Sequence, residues 1–203
     1  PEIYAGDFAS PEQIIPAGGV RNDEGAALPW ESCLTLNNRW GYCAADRDYK
    51  TSKTVIRALV ECVSKNGNLL LNVGPDARGR FPDESLSILS EIGDWMERNH
   101  ESIHGCGAAD LPKPDWGRYT RKGSTVYAHV QERGVGPLWL EGIPGSRVER
   151  VTYLADRSEV RIGLPDWMPN RNPEQVFVNF PSSRLPDERD TVIEIRLKQA
   201  PTP

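Results

Sequence analysis

Two carboxylates in the first forty residues stand where chemistry could be done. Glu12 lies in the irregular stretch GDFASPEQIIP, soon after the short apolar run EIYAGDF, and Glu31 follows nineteen residues later in WESC. Hydrolysis of a glycosidic bond needs such a pair. One acid protonates the departing oxygen, and the other attacks the anomeric carbon or activates water. With 29 Asp plus Glu in the chain, two acids near strand ends are ordinary by themselves, and Glu12 could equally cap a turn. Trp30, beside Glu31, and Trp40 offer flat rings that suit the C–H face of a sugar, and they suit a core as well.

These residues need elements to position them. EIYAGDF (2–8) reads as a strand running into a loop, and WESCLTL (30–36) as a strand or an irregular strand end. Ile56, Leu59, Val60 and Val63 recur at helical spacing over 51–67. Thr51 or Ser52 suits the start of that helix and Gly67 its end. The continuous apolar run NLLLNVGP (68–75) suits a parallel strand buried on both faces. A second helix is expected over 82–103: Pro82 fits its first turn, Asp83 and Glu84 complement its dipole, and Leu89, Ile92 and Met96 form a stripe. The alternation is that of a β/α architecture with a parallel sheet.

Beyond HGCGAADLPKPD (104–115) the texture changes. Segments 124–131, 136–143, 147–154, 158–163, 175–180 and 191–198 are short and partly alternating, punctuated by Gly and Pro, as in an antiparallel β-sandwich. The expected organisation is α/β plus all-β, with one domain over 1–105 and a second over 106–203.

Composition narrows the partners. The net charge is -5 with pI ≈ 5.3 and no long basic run, which argues against a nucleic-acid or anionic-membrane surface. Apolar runs of a few residues are too short to span a membrane. Cys33, Cys43, Cys62 and Cys106 form no CxxC pair, so a zinc site is not expected. Cys62 falls on or beside the apolar face of its helix and reads as a buried thiol, while Cys33 and Cys43 could pair. The chain starts at Pro1 without an initiator Met, as a fragment of a longer chain would.

Four stretches together carry a resemblance: WESC (30–33), RWGY (39–42), residues 49–84 with VSKNGNLLLNVGP, and IGDWMERNHESIHG (92–105). Over about residues 6–105 the chain resembles the α-L-fucosidases of glycoside hydrolase family 29. The resemblance implies the C-terminal part of a (β/α) TIM-like barrel followed by a β-sandwich, and a retaining exo-acting hydrolase of fucosylated oligosaccharides or glycoconjugates. It places the general acid/base at Glu12, where SPE stands for the family's TPE or TAE, with Glu31 as rival acid/base or as a carboxylate that orients a loop. Such an acid must hold a proton near neutral pH, which partial burial or a nearby anionic nucleophile favours. Trp40 matches an aromatic that packs on the apolar side of fucose, and Trp30 is a second candidate for substrate contact. Pro29 stands where the family usually has Lys.

The family's nucleophile, an Asp in a W.D context on an earlier strand, has no match after Glu12, and Asp7 is too close in sequence. The resemblance therefore puts it upstream of Pro1. No cofactor or metal is implied, no nucleic-acid or membrane partner is expected, and a homo-oligomer is left open. The loops at 14–29 and 43–50 are expected to border the aglycone, and the Gly, Ala and Pro of the first suggest mobility. The other reading is a non-catalytic carbohydrate-binding protein on a degenerate barrel. Trp139 and Trp167 are expected in core or loop packing.

Overall fold

In the computed structural model, which describes residues 7–164, 169 and 172–198, the apolar run after Gly67 pairs in parallel with the strand that carries Glu31. The partners are β1 (Trp30–Thr35) and β2 (Gly67–Asn72), in register from Trp30 opposite Gly67 to Thr35 opposite Asn72. Helix α1 (Ser52–Val63) forms the crossover between them, as parallel strands require. Thr51 is its N-cap, its side chain accepting from the Thr54 N–H at 3.1 Å. Val55, Ile56, Val60 and Val63 are its buried apolar face. Helix α2 (Asp83–Asn99) follows, with Pro82 just before it, and ends in a short 3₁₀ turn at His100–Ser102. Trp95 is its fully buried residue, with Leu89, Ile92 and Met96 half-buried. The chain divides into the units Pro1–Glu97 and Arg98–Pro203. Among the described residues no helix is long and apolar enough to cross a membrane.

Two local expectations fail for physical reasons. Gly67 does not close α1: Ser64 is the C-cap, and Asn66 takes the left-handed backbone at φ 60°. Gly67 is needed one step later, because a Cβ there would sit 2.2 Å from the Trp30 ring. Nor is β2 buried on both faces. Its Leu69 lies beside Ser32, on the side that α1 packs, whereas Leu70, on the other side, is 49% exposed. Of the expected strand at 2–8, residues 2–6 lie outside the described residues, and Asp7 and Phe8 form an exposed bend.

The second unit is antiparallel. Strands β3 (Gly107–Ala108), β4 (Gly117–Lys122), β5 (Thr125–Val130), β7 (Val148–Tyr153) and β9 (Thr191–Leu197) make a five-stranded sheet ordered β3-β4-β5-β9-β7. Strands β6 (Leu138–Pro144) and β8 (Gln175–Val178) form a second, two-stranded sheet. Val126, Ala128, Ile193 and Ile195 of the first sheet share one core with Leu138, Leu140, Val176 and Val178 of the second. Strand β4 was hidden by its charges: GRYTRK alternates only weakly, yet Tyr119 is buried and Gly117 has no room for a Cβ, which would fall 1.8 Å from the His129 carbonyl oxygen. Residues 158–163 are not a strand and contribute only the bridges Glu159–Thr152 and Ile162–Val178. Trp139 is 40% exposed, and its carbonyl accepts from Trp116 Nε1 at 3.0 Å. Trp167 lies outside the described residues.

One polar cluster is buried on the opposite face of the five-stranded sheet, where His129 alternates with the core residues Ala128 and Val130. His129 and Asp190 are fully buried, with Nδ1 and Oδ2 2.7 Å apart. His129 Nε2 is 3.1 Å from Thr120 Oγ1, which donates to the Ser102 carbonyl at 2.7 Å. The hydroxyl has one proton, and the carbonyl takes it, so Nε2 is the donor to Thr120.

Candidate active site

Residues 9–13 run beside β1 as a broken third strand. Ala9 bridges Trp30 and Glu12 bridges Cys33, both in parallel. The Glu31 N–H donates to the Ala9 carbonyl at 2.9 Å, Cys33 N–H to Pro11 at 3.0 Å, and Gln13 N–H to Cys33 at 2.9 Å. Pro11 has no N–H to give, so the ladder stays interrupted there. Gln13 then turns the chain away at φ 57°, and its side-chain amide donates to Thr35 Oγ1 at 3.0 Å. Glu12 is thus fixed between a ladder bond and a pinned turn. In the sheet register it stands beside Cys33, with Leu70 next along the same row.

A second segment brings the aromatic. Thr35 Oγ1 donates to the Asn37 carbonyl, and Lys50 Nζ donates to the carbonyls of Thr35 at 2.6 Å and Asn37 at 3.4 Å. Asn38 is tied through its N–H to Asp46 and through its amide to Asp48, each at 3.0 Å. Downstream, the backbone at Gly74 approaches so closely that a Cβ there would lie 2.7 Å from both Gly41 C and Tyr42 N. Between these anchors Trp40 donates from Nε1 to Glu12 Oε1 at 3.1 Å, its ring 40% exposed.

Glu31 is half-buried on the same face of β1 as Cys33, so the two expected carboxylates share one side of the sheet, and Glu12 is the one joined to Trp40. Trp30 is not a substrate platform in this structure. It is 2% exposed, its ring lies against Gly67, and its Nε1 donates to the Lys65 carbonyl at 3.2 Å. The 14–29 loop, expected to be mobile from its composition, is tied internally and to the turn before β2. Asn22 Oδ1 accepts from the N–H groups of Glu24 and Ala26, Leu28 N–H donates to the Val20 carbonyl, and Lys65 Nζ donates to that of Pro16. Cys62 is buried and its thiol pushed up to about 11, chiefly by burial, against an opposing hydrogen-bond interaction with Ser32. All four cysteines are free thiols, Cys33 and Cys43 included. Among the described residues no group of three or more His, Cys, Asp or Glu converges to hold a metal ion.

A cavity opens at Tyr42, two residues beyond Trp40 in sequence, and is lined in part by the 43–50 loop. It measures about 510 Å³, with Tyr42, Asp46 and Arg47 on one wall and Asp76, Phe81 and Glu84 on another. Arg47 Nη1 meets Glu84 Oε1 at 2.5 Å across it. Asp76 accepts the N–H groups of Arg78 and Arg80 and both Nε and Nη2 of Arg80, a fork that closes the 76–80 turn. Its carboxyl is held below the usual Asp range, first by the Arg80 backbone N–H and, against desolvation, also by the Arg80 guanidinium. Glu84 is likewise lowered, first by its own helix-terminal N–H and then by Arg47. The signal for the cavity was present as Tyr42 and Phe81, aromatics set among turn residues and charges.

The family profile of alpha-L-fucosidase matches residues 2–101. The alpha-L-fucosidase of Dictyostelium discoideum is 34% identical over 144 residues, which span 67% of this chain and 31% of that protein. Among solved structures, alpha-L-fucosidase isoenzyme 1 from Paenibacillus thiaminolyticus is 56% identical with a TM-score of 0.90, covering 98% of this chain and 47% of that one. A GH29 alpha-L-fucosidase from Bacteroides thetaiotaomicron, trapped as a covalent intermediate in complex with 2-fluoro-fucosyl fluoride, is 30% identical with a TM-score of 0.78, covering 96% of this chain and 44% of that one. The chain therefore spans about a third of the curated relative and less than half of the solved chains. The order of motifs from SPE to NHESIHG and the superposition along nearly the whole chain have one source: this chain belongs to the α-L-fucosidase family.

Proposed function

We propose that residues 7–97 carry the acid/base side of the active site of a retaining exo-α-L-fucosidase, on the C-terminal part of a (β/α) barrel, with a β-sandwich from about residue 106. The observation that carries the reading is the Trp40 Nε1 to Glu12 Oε1 hydrogen bond, which joins the carboxylate of the SPE motif to the aromatic of RWGY. An aspartate attacks the anomeric carbon and the glycosidic C–O bond breaks as Glu12 delivers its proton to the departing oxygen. Glu12, now a carboxylate, takes a proton from water as that water displaces the aspartate and releases fucose. The covalent intermediate trapped in the Bacteroides relative supports this two-step route. The nucleophilic aspartate lies N-terminal to the Glu12 segment, as in the family pattern. Trp40 offers its half-exposed ring to the C–H face and methyl of fucose. Glu31, hydrogen-bonded through its backbone to Ala9, holds the Glu12 segment.

A non-catalytic binding protein draws no support, because the motif acid is held in place and the relatives are named as hydrolases. The test compares wild type and Glu12→Ala of the full-length gene product on 4-nitrophenyl α-L-fucoside and a natural fucosyl oligosaccharide, with and without azide. An activated aryl group needs little protonation, so the variant loses far more on the natural substrate, and azide restores aryl-fucoside turnover. The same pattern in Glu31→Ala, with Glu12→Ala like wild type, would transfer the role to Glu31.

A further inference from the structure

The hydroxyl of Thr35 is bonded to both segments that make the Glu12–Trp40 pair. It accepts from Gln13 Nε2 at 3.0 Å and donates to the Asn37 carbonyl at 2.5 Å. A hydroxyl has one proton, so the polarity is fixed: the carbonyl takes that proton and the amide meets a lone pair. The same polarity orients the Gln13 amide, whose Oε1 accepts from the Thr35 N–H at 3.5 Å. Thr35 is 1% exposed, so it acts on its neighbours and not on a substrate.

On one side this lock holds the acid. Glu12 lies between two ladder bonds to β1, from Cys33 N–H to the Pro11 carbonyl and from Gln13 N–H to the Cys33 carbonyl. Gln13 then takes its left-handed backbone at φ 57°, which is unfavourable for a residue with a Cβ and persists only where the surroundings impose it. The amide bonds to Thr35 supply that constraint. On the other side the lock holds the indole. The Asn37 carbonyl also accepts from Lys50 Nζ, at 3.4 Å, and Asn37 Oδ1 accepts from the Arg39 N–H at 3.3 Å in a turn that leads into Trp40. Lys50 Nζ donates to the Thr35 carbonyl as well, at 2.6 Å.

We propose that Thr35 is a positioning residue that sets Glu12 against the Trp40 indole, with the Gln13 amide as its link to the acid. The inference rests on Glu12 being the acid/base and is separable from that reading by experiment. The variants are Thr35→Val, which keeps the branched shape and loses the hydroxyl, Thr35→Ser, which keeps the hydroxyl, and Gln13→Asn. Asn takes the left-handed backbone more readily than Gln, yet one methylene shorter it does not reach Thr35, so the turn stays and the link goes.

Each full-length variant, active-site titrated, would be assayed on 4-nitrophenyl α-L-fucoside and on a natural fucosyl oligosaccharide. A displaced acid costs most where the leaving group needs its proton. Thr35→Val and Gln13→Asn should lose about tenfold or more in kcat/KM on the oligosaccharide and less than about threefold on the aryl fucoside. Thr35→Ser should stay within about threefold of wild type on both. Because Thr35 acts through the indole bond, adding Thr35→Val to Trp40→Phe should cost less than about threefold more on the oligosaccharide.

Equal losses on the two substrates, a wild-type substrate ratio in Gln13→Asn, or losses that multiply in the double variant would overturn the positioning role. Glu12→Ala is the reference. If it shows the leaving-group dependence and the Thr35 and Gln13 variants do not, only this inference falls. If Glu12→Ala lacks it too, the acid/base reading falls with it.

Discussion

Trp40 Nε1 donates to Glu12 Oε1 at 3.1 Å, joining a residue of the broken strand beside β1 to one on the loop that follows β1. The bond gives the indole two uses. In the proposed mechanism its edge fixes one carboxylate oxygen while its face takes the sugar, and Oε2 is left for proton transfer. A hydrogen bond to a charged group is worth about 1.5–3 kcal/mol. Trp40→Phe keeps the ring and loses the donor, so kcat/KM on a fucosyl oligosaccharide should fall by about one to two orders of magnitude. Trp40→Ala, which loses the platform too, should fall further. Steady-state kinetics on both variants decides, and a Trp40→Phe enzyme with wild-type kcat/KM would remove the indole N–H from the mechanism.

Two glycines make opposite predictions. A Cβ at Gly67 would lie 2.2 Å from the buried Trp30 ring, and one at Gly74 would lie 2.7 Å from the Gly41–Tyr42 backbone. Gly67→Ala should act as overpacking of a core and cost about 1–3 kcal/mol or more, with the activity of the remaining folded enzyme close to normal. Gly74→Ala displaces the segment that carries Trp40, so it should lower kcat at a smaller cost in stability. Thermal unfolding beside active-site-titrated kcat separates them. If Gly74→Ala kept full kcat, the close approach would have no part in setting Trp40.

How legible the site was depended on whether its signal is local. The α1 period, the Thr51 cap and the β2 apolar run are local patterns, and the structure has the helix, the cap and a parallel strand there. Glu12 and Trp40 could be nominated from their motifs, but their hydrogen bond spans 28 positions and depends on Gln13 adopting a left-handed backbone that its identity does not demand. Trp30 and Trp40 look alike as letters. Only the register that stacks Gly67 under Trp30 makes one of them core. Strand β4 escaped notice because four of its six residues are polar or charged and its pairing with β5 is what holds it. The 76–80 turn is held by Asp76 through its own side chain, a contact that composition cannot register.

Cys62 should be the inert thiol. It is fully buried with its pKa pushed up to about 11, mainly by burial, whereas Cys33 and Cys43 are half-exposed. The thiolate is the nucleophile, so brief alkylation of the native protein at pH 8 should leave Cys62 unlabelled while Cys33 and Cys43 react, as peptide mass spectrometry would show. The sign of the stability effect follows from the same shift. Between the ordinary thiol value of 9.0 and about 11 the unfolded chain loses the Cys62 proton and the folded one keeps it, so the native state weakens as pH rises through that window. Cys62→Ala should flatten this alkaline loss. Rapid native-state labelling of Cys62 would contradict the burial.

The last prediction concerns the buried cluster of the second unit. His129 Nδ1 lies 2.7 Å from Asp190 Oδ2, both side chains fully buried, and Nε2 donates to Thr120, which donates in turn to the Ser102 carbonyl. Removing one member of such a pair leaves the other desolvated without its partner, a penalty of about 3–5 kcal/mol. Asp190→Ala should therefore destabilise this unit by about that much. Thr120→Val, which strands a ring N–H and a carbonyl, should cost about 1–3 kcal/mol. Because β5 and β9 flank the pair, the loss should appear as faster amide exchange of Val126–Val130 and Val192–Ile195 in the intact protein. A change below about 1 kcal/mol in Asp190→Ala would mean that water enters the site once the carboxylate is gone, and that the pair is not what holds these strands together.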